Sequence, residues 1–118
     1  MPSKDEHLAK ATNNRNFAIS LKAATPTAIG WALTVLFYSA LHYVEAYNAN
    51  FGLHCRNHEE LNDQVARNPV LEPIRDEYKD LMTFSWNSRY RAIQYTAENL
   101  AEAIESHDAI QRIIEGMI

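Results

Sequence analysis

The sequence predicts an all-α protein, and three observations carry that prediction. Apolar residues recur at three- and four-residue spacings through most of the 118-residue chain, while alternating runs of Val, Ile and Thr are absent. Only three Gly and four Pro are present, so loops are few and short. Pairs such as Ser3–Glu6 and Thr25–Pro26 punctuate the chain in the way helix starts do. With 47% hydrophobic and 22% charged residues, one globular domain spanning 1–118 is expected. The predicted architecture is four long helices and one short one in an antiparallel up-and-down bundle.

The first helix opens at "SKDE", where Ser3 can cap the amide of Glu6 and Glu6 can reach back. Leu8, Ala11, Ala18 and Leu21 are its inward residues, with Phe17 beside them. "ATPTA" stops it and starts the next, with Thr25 as cap and Pro26 in the first turn. That second helix should run from Pro26 to about Asn48. It is apolar all round, as a helix buried on most sides is, and Gly52 suits the left-handed residue past its end.

A short third helix follows Asn57, which with Glu60 resembles a capping box. Leu61 and Val65 form its apolar stripe, and Asn68-Pro69 ends it. Leu71, Ile74, Tyr78, Leu81 and Ser85 space out a fourth helix, with Pro73 in its first turn. The pattern weakens over "SWNSRYR" (Ser85 to Arg91), where a bend is expected. The last helix should cover roughly Ala97 to Gly116, with Leu100, Ile104, Ile110 and Ile114 inward.

"AIGWALTVLFYSALHYV", Ala28 to Val44, is the one stretch that resembles a membrane span. It lies at the short limit and carries Thr34, Ser39 and His42, so it reads as a core helix. A single cysteine, Cys55, allows no intrachain disulfide, and "MPSKDEHLAK" lacks the apolar core of a signal peptide. A cytoplasmic protein with no membrane partner is the expectation. The formal charge of −4 argues against a general nucleic-acid coat, which needs surplus Lys and Arg, but leaves room for a local basic patch.

Three groups of residues carry chemistry. His42 and Glu45 share a stripe of the second helix with Trp31, Val35, Tyr38 and Ala49. A carboxylate in such a helix needs a partner, and the pair is either a packing knot or half of a site. His54, Cys55 and His58 follow. Two His four apart can share a metal, and His42 or Glu45 could complete a metal-binding bundle. The helix break expected near His54 weakens that spacing, so no metal ligand and no cofactor are assigned. Third, "SWNSRYRAIQY" packs Trp86, Arg89, Tyr90, Arg91 and Tyr95 into eleven residues. Arg matches phosphate and aromatic rings stack on bases, but the same residue types also dominate protein interfaces. No Gly-rich phosphate loop, nucleophile elbow or zinc-protease motif is present.

Together, "WALTVLFYSALHYVEAY", "HCRNHEELND" and "YKDLMTFSWNSRYR" resemble the HEPN superfamily (higher eukaryotes and prokaryotes nucleotide-binding domain). The likeness is to small prokaryotic members with "FYsAlHyvdA", "sHxxRN" and "Y..L...S..aRY" segments, and spans about Ile29 to Tyr95. It implies a helical bundle, usually homodimeric. It further implies a metal-independent endoribonuclease of a toxin–antitoxin, defence or RNA-processing system, whose motif is an Arg followed four to six residues later by His. With the Arg at Arg89, the His slot falls at 94–96, "QYT", and Tyr95 stands there. Tyrosine, with a reference pKa of about 10, is a poor base at neutral pH. His58, Leu61 and Asn62 stand where His, Arg and Asn are expected. The site the resemblance implies is therefore catalytic Arg89, Tyr95, His58 and His42, with binding by Glu45, Asn62, Arg91, Trp86 and Tyr90. The alternative is a non-catalytic HEPN module that dimerises and binds a nucleotide or a protein partner, such as a cognate antitoxin or nucleotidyltransferase.

Overall fold

The computed structural model describes all residues 1–118, of which 81% are helical, with no strand. Five α-helices follow one another: α1 Lys4–Ser20, α2 Pro26–Asn50, α3 His58–Arg67, α4 Glu72–Tyr90 and α5 Ala97–Met117, with a 3-10 turn at Pro69–Leu71. α2 is the hub. It packs against α1, α4 and α5, and α4 also packs on α5.

The helix ends follow from local chemistry. Ser3 and Glu6 form the expected reciprocal box on α1. Thr25 accepts from the Ala28 amide, with Pro26 opening α2. Thr96 and Asn99 make a second reciprocal box on α5. Asn57 accepts from the Glu60 amide, but the Glu60 carboxylate turns away to the Arg56 amide and guanidinium, so α3 has only half a box. Gly52 takes φ +71°, as expected past the end of α2.

Two expectations are corrected. α4 continues through "SWNSRY" to Tyr90 and breaks at Arg91 and Ala92, where Ala92 has φ +53°. The weak apolar pattern there marks a helix face turned to solvent: Trp86 and Tyr90 are both more than half exposed. Phe17 is likewise exposed. His7 takes a buried place on α1, beside Ala11 and Ala18.

The core is built by α2, which buries Leu33, Leu36, Phe37, Ala40, Leu41 and Val44 against Ile74, Tyr78 and Leu81 of α4 and Ile110 and Ile114 of α5. Gly30 and Ser88 let α2 and α4 approach closely; a Cβ on Gly30 would stand 3.7 Å from that of Ser88. α2 is long and apolar enough to cross a membrane, with a window of mean hydropathy 1.3, yet 61% of that window is buried within the protein, as for the core helix of a bundle. Its remaining face carries Trp31, Val35, Tyr38, His42, Glu45 and Ala49. None of these six is buried. The stripe picked out by periodicity is thus the exposed face of the most buried helix.

Candidate functional site

That stripe meets α4 at its upper half and α1 at its lower half. At the upper half, the Arg89 guanidinium donates from Nη1 to the Tyr38 hydroxyl at 3.2 Å and from Nε to the Ser85 carbonyl at 3.3 Å. It also lies 4.9 Å from the centre of the Tyr90 ring, a cation–π distance. These bonds orient Arg89 without neutralising it, since no carboxylate pairs with it. Beside it opens a cleft of about 480 Å³ lined by Gly30, Trp31, Thr34, Ser88, Arg89 and Tyr90, among others. Trp86 stacks at 4.6 Å on Tyr90, which extends the aromatic rim. Arg91 is exposed on the turn that follows.

His58, the first residue of α3, also lies beside Tyr38, with ring centres 6.0 Å apart. Tyr38 thus neighbours both Arg89 and His58. Tyr95 does not join them. Its hydroxyl accepts from Asn87 at 2.9 Å, its ring packs edge-on to Phe84 at 4.9 Å, and it lines a different surface with Lys79 and Glu102. Asn62 accepts from the buried Tyr78 hydroxyl at 2.6 Å and so ties α3 to α4.

At the lower half, His42 and Glu45 meet a residue that sequence reasoning did not single out. His7 Nδ1 lies 3.1 Å from His42 Nδ1 and 3.0 Å from Glu45 Oε2, and His42 Nδ1 lies 3.7 Å from the same oxygen. Burial, followed by the neighbouring His7, Lys10 and His58, holds the His42 pKa down to about 4. His42 is then uncharged at neutral pH and a weak base, with one ring nitrogen's lone pair able to meet a cation. The signal for His7 was available, since it lies between Ser3 and Ala11 on the inward face of α1, but no spacing rule connects it to a helix 35 residues away.

His7 and Glu45 line a second cleft, of about 260 Å³, with His54, Cys55, Arg56 and His58. His54 and His58 are exposed and lie outside the group of ligand atoms formed by His7, His42 and Glu45. Cys55 bonds Gln64 at 3.3 Å, and burial pushes its thiol pKa up, which makes it a weak nucleophile.

A third polar group lies inside the bundle. His107 Nε2 is 2.7 Å from the Ser39 hydroxyl, His107 Nδ1 is 2.9 Å from Asp108, and Asp108 receives two bonds from Arg15 at 2.8 and 2.9 Å. The order Ser–His–Asp is that of a hydrolase triad, but Ser39 and His107 have no exposed surface, so no substrate reaches them.

The geometry thus defines an all-α bundle with two polar surface sites on one stripe. The chain matches no protein-family model, no curated protein and no solved structure.

Proposed function

We propose that this chain is a HEPN-like RNA-associated protein that holds an RNA phosphate at Arg89 and cleaves the strand beside it. The observation that carries the reading is the Arg89–Tyr38–His58 arrangement: an unneutralised guanidinium, bonded to the Tyr38 hydroxyl and lying over the Tyr90 ring, with the His58 imidazole beside the Tyr38 ring. Arg89 holds the scissile phosphate with its free N–H groups. Trp31 and Tyr90 offer stacking faces for the flanking bases. His58 accepts the proton of the ribose 2′-hydroxyl as that oxygen attacks phosphorus, and the 5′-oxygen leaves with a proton from water. Tyr95, turned to another surface, has no part in this chemistry.

The test is cleavage of a labelled single-stranded RNA by the chelator-treated protein. Arg89→Ala should lose at least about a hundredfold in rate, with an unchanged circular dichroism spectrum. His58→Gln should lose about as much, while Tyr95→Phe keeps the rate. Equal cleavage by wild type and Arg89→Ala would sink the reading.

The exposed cluster Trp31, Trp86, Tyr90 and Ile93 favours one second reading, a non-catalytic dimerising module. A chain that sediments as a dimer, binds RNA or a nucleotide, and leaves RNA intact would support it.

A further inference from the structure

We propose that His7, His42 and Glu45 bind one divalent transition-metal ion of the zinc class. Nothing in this inference depends on RNA chemistry at Arg89.

The first argument is geometric. The three ligand atoms, His7 Nδ1, His42 Nδ1 and Glu45 Oε2, are separated by 3.1, 3.0 and 3.7 Å. A triangle with those sides has a circumscribed radius of about 1.9 Å, which is also about the radius of a ligand face around a tetrahedral ion with bonds of ~2.05 Å. An ion placed about 0.7 Å off that plane reaches all three atoms at bonding distance without moving a side chain.

The second argument counts protons. Each neutral imidazole carries one ring hydrogen, and an ionised carboxylate carries none. If His7 Nδ1 donates to Glu45 and His42, the lone pair of His42 Nδ1 faces the carboxylate. If His42 Nδ1 donates instead, the lone pair of His7 faces Glu45 at 3.0 Å. Every neutral assignment leaves like groups opposed: two lone pairs or, where both Nδ1 atoms carry hydrogen, two N–H groups. A cation among the three atoms satisfies all of them at once.

The third argument is placement. His42 and Glu45 are fixed one turn apart near the end of α2, and His7 is buried in the first turns of α1, whose start is pinned by the Ser3–Glu6 box. Ligands on rigid helices keep their geometry better than ligands on loops. Two imidazoles and one carboxylate suit zinc-like ions, whereas calcium and magnesium prefer all-oxygen shells. Three protein ligands leave a fourth position, the pattern of ions that exchange water for a ligand. His7 and Glu45 both border the 260 Å³ cleft, which gives that position an opening to solvent beside Arg56 and His58.

The test uses the full chain, purified without a histidine tag and stripped with chelator. Calorimetric titration with Zn²⁺ should give one ion per chain, and Co²⁺ should develop the intense visible bands of a four-coordinate site. At about a hundredfold excess of Zn²⁺ over Kd, Tm should rise by roughly 5–10 °C. Glu45→Gln and His7→Gln should each weaken binding at least about tenfold and remove the Tm rise. The double variant His54→Gln, His58→Gln should bind as wild type does. If His7→Gln fails to fold, Glu45→Gln alone decides, because its side chain reaches solvent and keeps its shape. Absence of stoichiometric binding in wild type overturns the proposal. So does undiminished binding in Glu45→Gln, or binding lost only in the His54, His58 double variant.

Discussion

Two histidine clusters lie within one bundle and differ in almost every respect. His107 is fully buried, and each of its ring nitrogens has a complementary partner. Asp108 can only accept, so Nδ1 carries the proton, and the single Ser39 hydroxyl hydrogen is shared between the Ala11 carbonyl and Nε2, each 2.7 Å from Ser39 Oγ. Arg15 closes the chain by binding Asp108 with two parallel bonds. Burial would raise the Asp108 pKa, but the bonds from Arg15 and His107 outweigh it and hold it below the ordinary carboxyl range. Of His7, His42 and Glu45, the first is buried and the other two are partly exposed, and no neutral proton assignment avoids opposing like groups. The first cluster is closed and joins α1, α2 and α5. The second borders a cleft through His7 and Glu45. A His–carboxylate pair is therefore not diagnostic by itself; burial against access to a cleft is what differs between the two.

The comparison breaks if the closed cluster proves dispensable. His107→Ala should lower stability by about 3–4 kcal/mol, since it opens a cavity and strips Ser39 and Asp108 of a partner. Urea unfolding at pH 7 measures this, and a loss below about 1 kcal/mol would remove the knot from the account.

A smaller effect separates the clusters by pH. The native His42 pKa of about 4 lies below the ordinary 6.5, so the unfolded chain takes up a proton that the native chain refuses. Its effect on stability is nil above about pH 6.5 and grows as pH falls towards 4. Allowing for solvent at a partly exposed ring, the metal-free protein should lose about 1–2 kcal/mol between pH 7 and pH 4.5. Burial depresses His107 in the same direction, an effect its bond to Asp108 only partly offsets, so His42→Gln should flatten the urea-midpoint profile without levelling it.

The smallest expected change is the sharpest discriminator. In metal-free protein, Glu45→Gln should alter stability by less than about 1 kcal/mol, because the carboxylate is partly solvated and holds no buried cation. A loss as large as that of His107→Ala would show that the surface triad is a second knot.

Most of the fold was legible because it rests on local rules. The caps at Ser3 and Thr25, the breaks at Asn68-Pro69 and past Asn50, and the inward series Leu71, Ile74, Tyr78, Leu81 and Ser85 all depend on residues within a turn or two of each other. The end of α4 was misplaced because exposed aromatic residues carry no inward period, so Trp86 and Tyr90 read as a break. The sites were legible only in part. His42 with Glu45 was read from spacing along one helix, and Arg89 from the density of Arg and aromatic residues in one segment. His7 and His107 were missed because they reach their partners across the bundle, and a helical period says nothing about which face of another helix lies opposite. The Arg89 to Tyr95 spacing could not say where Tyr95 lies for a related reason: α4 ends between them, Ala92 turns the chain with a left-handed residue, and Tyr95 lines a surface with Lys79 and Glu102.

α2 has no idle face. Three sides build the core, and the fourth carries Tyr38, His42 and Glu45 along one line of solvent contact. Rotating such a helix by one residue, about 100°, would bury the polar line and expose leucines, and sliding it by a turn would part His42 from His7 while the packing merely shifted register. A substitution in this helix therefore disturbs either the core or the line of polar side chains beside it.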